Sequence, residues 1–77
     1  MKAKVDDEIE LSEDVKANFS DEMIPRGTKG TIVEVYSDPQ EGYCADLAIP
    51  DNRLVGEHRF ENVILFPRQF EVCSQRK

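Results

Sequence analysis

Tyr43, Ala45, Leu47 and Ile49 fall on every second position, with Cys44, Asp46 and Ala48 between them. A period of two places one set of side chains on a single face of an extended strand. The same period runs through Ile9, Leu11, Val15, Ala17 and Phe19, with Glu13 as the one break. It predicts a half-buried strand in two pieces, bent near Ser12-Glu13-Asp14. No stretch of the chain sustains a helical period, so the pattern predicts an all-β fold.

Punctuation between the apolar runs sets the order of elements. Ser20 to Gly27 reads as a loop, with Ser20 capping one helical turn and Pro25 forcing Ile24 to be extended. Gly27 and Gly30 are expected to bracket a turn with positive φ. Thr31 to Tyr36 is rich in β-branched residues and carries one charge, Glu34, which predicts a strand. Ser37 to Gly42 is a turn by composition, Tyr43 to Ile49 the next strand, and Pro50-Asp51-Asn52 a tight turn. Leu54 to Arg59 is read as a returning strand and Phe60-Glu61-Asn62 as a short helical turn. Val63 to Phe66 is an apolar run stopped by Pro67, and Phe70 and Val72 alternate in a last short strand.

At 77 residues there is room for one domain and a small interior. Closure into a small barrel hides strand edges, so a five-stranded barrel with a short helical turn is the expected architecture. Residues 9–73 form that barrel, residues 1–8 a flexible acidic leader and residues 74–77 a tail.

With these elements in place, a likeness emerges. Asp14-Val15-Lys16-Ala17, a loop, and then Arg26-Gly27-Thr28-Lys29-Gly30-Thr31-Ile32-Val33-Glu34-Val35-Tyr36 resembles the opening of SH3-like barrels of the KOW type. The continuation, Gly42-Tyr43-Cys44-Ala45-Asp46-Leu47, a turn, and Arg53-Leu54-Val55-Gly56, is similar to a group of short bacterial proteins of unknown function. The resemblance spans about residues 13–66 and rests on structural motifs. It implies an SH3-like barrel serving as a docking or accessory module in the bacterial cytoplasm. An RNA-contacting KOW-like barrel is the alternative.

Charge separates these two readings. The net charge is −6. Residues 1–22 carry three bases against eight acids, a balance of −5, and residues 23–77 carry seven against eight, a balance of −1. Nucleic-acid binding rests on a basic face that displaces counterions from phosphates. Here Asp21, Glu22, Asp38 and Glu41 occupy loops that are basic in the RNA-binding barrels. The balance therefore favours a protein partner, itself basic.

No apolar run has the length of a signal peptide core or a membrane span, so a cytoplasmic location is expected. Cys44 and Cys73 are then free thiols. His58 and the two cysteines lack the close spacing of a zinc site, and no serine or cysteine is tied to His58 as a nucleophile would be to its base. Neither a metal, a cofactor nor an enzymatic activity is expected.

The candidate partner-binding residues are Arg26, Lys29, Tyr36, Tyr43, Arg53 and Arg59. Arg26 and Lys29 stand beside glycine amides that can hold an anion, against the plainer reading of a turn with solvated cations. Tyr36 and Tyr43 flank one turn, where exposed aromatics would anchor a partner and Arg53 and Arg59 would form the rim. By phase Tyr36, Tyr43, Phe60, Phe66 and Phe70 belong mostly to the core, with one or two of them left as surface anchors.

Overall fold

A computed structural model describes residues 1–18, 21–50 and 58–73. Among the described residues seven strands follow one another: β1 (Glu8–Leu11), β2 (Val15–Lys16), β3 (Met23–Ile24), β4 (Lys29–Tyr36), β5 (Gly42–Pro50), β6 (His58–Leu65) and β7 (Phe70–Val72). A single 3-10 turn, Pro67–Gln69, precedes β7. The main sheet is antiparallel with strand order β6-β5-β4-β1-β7, and β2 and β3 form a separate ribbon. The fold is all-β with one short helical turn. Among the described residues no helix is long and apolar enough to cross a membrane.

The alternation of β5 sets the core. Tyr43, Ala45 and Leu47 have no exposed surface and Ile49 almost none. Ile9 and Leu11 from β1, Ile32 from β4, Val63 and Leu65 from β6, and Phe70 from β7 close over them. Val15, Ala17 and Ile24 of the ribbon segment join the same cluster, so both sheets share one interior. The Tyr43 and Phe70 rings meet edge to face at 5.1 Å, a geometry that aligns the ring quadrupoles favourably.

A bulge in β4 fixes which side chains share that interior. Ile32 pairs with Ala45, but Glu34, not Val33, pairs with Cys44. The extra residue, Val33, shifts the phase by one. Without it Glu34 would lie on the side of Ile32; with it Glu34 turns outward and Val35 packs against the core opposite Tyr43.

Several expectations are corrected. Phe60-Glu61-Asn62 is the middle of β6, paired with Ala48, Leu47 and Asp46. The long alternation of β5 recruits an equally long partner, and the helical turn falls instead after Phe66, which the following proline holds extended. Met23 and Ile24, expected in a loop, pair with Lys16 and Val15. Gly27 has φ of 93° as predicted, but Gly30 lies inside β4 without positive φ. Its lack of a side chain serves close approach: a Cβ there would fall 2.5 Å from the Asp46 carbonyl oxygen and 2.7 Å from Leu47 Cδ2.

The leader makes contacts with the main sheet and with the turn before β7. Ala3 is buried. The Lys2 N–H donates to the Tyr43 hydroxyl at 2.7 Å, and Lys2 Nζ donates to the carbonyls of Pro67 and Phe70 at 2.6 and 2.5 Å. Asp6 N–H donates to the Ile32 carbonyl, and Ile32 N–H to that of Asp7, which carries the pairing of β1 and β4 back into the leader. The Ser20 cap, the turn at residues 51 and 52, the strand at residues 54–57 and the tail lie outside the described residues.

Candidate functional site

The six candidate residues do not form one patch. Lys29 begins β4 and Tyr36 ends it, a separation of about 23 Å at the rise of an extended strand. Arg26 sits in the turn before β4, where its N–H is held by the Asp14 carboxylate at 2.8 Å. Its side chain lines a shallow groove with Glu10, Leu11, Ser12 and Glu71. Arg53 lies outside the described residues.

Tyr43 is buried, contrary to its placement on a shared exposed patch with Tyr36. Its phase along β5 matches Ala45 and Leu47, so its ring points into the core. Its hydroxyl accepts from the Lys2 N–H and donates to the Glu41 carboxylate. Burial first, and the carboxylate second, hold that hydroxyl above the usual tyrosine pKa. The same bond, followed by the Lys2 N–H, draws Glu41 below the usual glutamate range.

Arg59 is engaged within the molecule. Its guanidinium grips Glu22 through two bonds of 2.6 and 2.5 Å, and Glu61 at 2.5 Å. These bonds, led by that to Glu22, raise its pKa. Glu22 precedes β3 and Glu61 lies in β6, so Arg59 ties the ribbon to the edge of the main sheet. Beside it, Asn18 Nδ2 donates to the Asn62 carbonyl at 2.9 Å. Lys29 Nζ faces Glu10 at 3.9 Å. Among the described residues, then, Arg26, Lys29 and Arg59 do not merge into the positive surface that phosphate recognition requires.

The feature that sequence phase missed is the outer face of β4, β5 and β6. Phe60, expected in the core, is 68% exposed. It lies on the same side of β6 as Asn62, Ile64 and Phe66, and Ile64 and Phe66 are also exposed. Across the sheet, Phe60 pairs with Ala48, Asn62 with Asp46 and Ile64 with Cys44. One strand further, Lys29 pairs with Ala48, Thr31 with Asp46 and Glu34 with Cys44. Tyr36, half-exposed, ends this side of β4 and donates to Glu34 at 3.1 Å. Tyr36 and Lys29 are thus the candidate residues that lie on this face, at opposite ends of β4. The available signal was the spacing of Phe60, Ile64 and Phe66 opposite in phase to Val63 and Leu65: one set had to face out.

The floor of this face is ordered. Asn62 Nδ2 donates to Asp46 at 2.8 Å, and the buried Cys44 thiol donates to Asn62 Oδ1 at 3.2 Å. Glu8, Lys29, Gly30, Thr31, Asp46, Ala48 and Phe60 surround a shallow cavity of about 240 Å³. It is an open groove, not an enclosed chamber of the kind that holds a small molecule.

No protein-family model, curated protein or solved structure matches the chain.

Proposed function

We propose that this protein is a non-enzymatic docking module of the cytoplasm, built on an SH3-like barrel, which seats a protein partner on the outer face of β4, β5 and β6. One observation carries the reading: Phe60, Ile64 and Phe66 along one side of β6, and Tyr36 on the same side of β4, are all exposed. Single exposed apolar residues are ordinary, but two phenylalanines, an isoleucine and a tyrosine on one side of a sheet, set around the polar row of Thr31, Asp46 and Asn62, have the composition of an interaction site. The SH3-like reading is supported by the strand order, by the ribbon inserted between β1 and β4, and by the 3-10 turn before β7.

The test is site-specific photo-crosslinking in living cells. A benzophenone side chain replaces Phe60 or Ile64, with Met23 of the ribbon, 53% exposed, as the control position. A discrete protein adduct from positions 60 and 64 and none from 23 is expected. No adduct from either face position, or equal adducts from position 23, refutes the assignment.

A further inference from the structure

The groove on the outer face selects the chemistry of its occupant. Two rows of paired residues cross it: Glu8, Thr31, Asp46 and Asn62 in one, and Glu10, Lys29, Ala48 and Phe60 in the next. Thr31 is short, so the first row dips between two carboxylates. Glu8 and Asp46 stand two strand spacings apart, about 10 Å, which leaves room for one cationic head between them. The second row places a methyl group and an exposed aromatic ring alongside, a surface suited to a methylene stem and to a cation over the ring.

Among the described residues no cation fills this position. Lys29, the cation at the groove, is 69% exposed along its side chain and reaches towards Glu10. Asp46 keeps its carboxylate fixed through the bond from Asn62. Among the described side chains on this side of β1, β4 and β5, Glu8, Glu10, Glu34 and Asp46 outnumber Lys29 four to one. A second copy docked face to face would bring these carboxylates against their own counterparts, and a phosphate-bearing partner would meet the same field.

We infer that the partner inserts a lysine or arginine into the dip over Thr31, with its head between Glu8 and Asp46, its stem on Ala48 and Phe60, and apolar neighbours against Phe60 and Ile64. This rests on the docking reading above and names the class of partner: a basic, amphipathic segment of a protein.

The test uses two synthetic peptides, one alternating arginine with leucine and one alternating glutamate with leucine. Each is titrated into the isotopically labelled chain by NMR at low and high salt. The arginine peptide is expected to shift the amides of Thr31, Asp46, Ala48 and Phe60, and to weaken as salt screens the charges. The double variant Glu8→Gln with Asp46→Asn, whose sites are on the surface, is expected to weaken it about tenfold, the scale of two modest ion pairs acting together. The glutamate peptide is expected not to bind. Equal binding by the glutamate peptide, an unchanged affinity in the double variant, or self-association through this face overturns the inference. Phe60→Ser separates the two levels. If it abolishes binding of both peptides while the double variant affects neither, the docking face stands and the basic partner falls. If neither peptide moves any amide of the face, both fall.

Discussion

Replacing Gly30 by alanine is the sharpest test of how the sheet is packed. The new Cβ would lie 2.5 Å from the Asp46 carbonyl oxygen and 2.7 Å from Leu47 Cδ2, against an unstrained separation of about 3.5–4.0 Å between non-bonded carbons. A leucine terminus can turn aside. The carbonyl cannot, because β5 is held by β4 on one side and β6 on the other. The strands must part by about 1 Å to restore ordinary contact. Overpacking of this kind costs about 1–3 kcal/mol, and a backbone obstacle places it at the upper end. The loss of glycine's freedom in the unfolded chain returns about 0.4–1 kcal/mol. The net destabilisation is about 2 kcal/mol, from a total of about 4–12 kcal/mol for a chain of this length. That corresponds to a fall in Tm of about 8–16 °C.

Urea unfolding followed by far-UV circular dichroism measures the effect, and two sister variants calibrate it. A Cβ at Gly42 would meet only Ile64 Cγ2 at 3.8 Å and the Leu65 carbonyl at 3.9 Å, so Gly42→Ala is expected to be neutral or slightly stabilising. Gly27→Ala must hold alanine at φ of 93°, at a cost of about 1 kcal/mol. The expected order of stability is Gly42→Ala, wild type or equal, then Gly27→Ala, then Gly30→Ala. A Gly30→Ala protein within about 0.5 kcal/mol of wild type, the range of an ordinary surface change, would refute the packing argument. So would a Gly42→Ala protein as damaged as Gly30→Ala.

The remaining predictions concern titration and thiol chemistry. The Tyr43 hydroxyl is held above the usual tyrosine range, so its contribution is complete below about pH 10 and is lost as pH rises through the folded value. Glu41 is depressed, so its contribution is present above the ordinary glutamate range and lost as pH falls through and below it. Tyr43→Phe is expected to cost about 1 kcal/mol at neutral pH, the scale of a hydrogen bond, and to flatten the alkaline limb of a pH–stability curve measured by thermal melting; an unchanged limb would sink the assignment. For the cysteines, Cys73 is exposed and Cys44 buried, so an aromatic disulfide reagent is expected to label Cys73 in the folded protein and Cys44 only on unfolding. Burial first, with Glu10 and Glu8 adding against Lys29, raises the Cys73 pKa, so its labelling accelerates only at alkaline pH; simultaneous labelling of both thiols would contradict the burial.

Most of the architecture was legible because alternation is a direct record of two-sided burial. Tyr43, Ala45, Leu47 and Ile49 were read as one face and are one face. The bend near Ser12-Glu13-Asp14 separates β1 from β2 as the break at Glu13 predicted. What failed were features that depend on a partner strand. The β4 bulge left a trace, since Glu34 shares the phase of Ile32 and a charge there demands a shift, but the position of the extra residue is set by β5. Phe60 and Phe66 share the phase of Ile64, opposite to Val63 and Leu65; which set faces out is decided by the pairing with β5, where Val63 meets the buried Ala45 and Phe60 meets Ala48. Tyr43 was placed beside Tyr36 because both flank a turn, yet the phase that buried its neighbours applied to it equally. The candidate surface changed accordingly, from cations around a loop to apolar side chains on a sheet.

The anchoring of Lys2 has a consequence for how this protein is made. Lys2 Nζ is held by carbonyls of Pro67 and Phe70 and lies 4.9 Å from the centre of the Phe70 ring, and β1 is sandwiched between β4 and β7. Lys2 is thus held by carbonyls 65 and 68 positions further along the chain. A nascent chain that has emerged only as far as Leu65 can form the β4–β5–β6 meander, but Ile9, Leu11 and Tyr43 then still lack the ring that covers them. Contacts of such sequence separation form late, so synthesis leaves an interval in which apolar strands stand open.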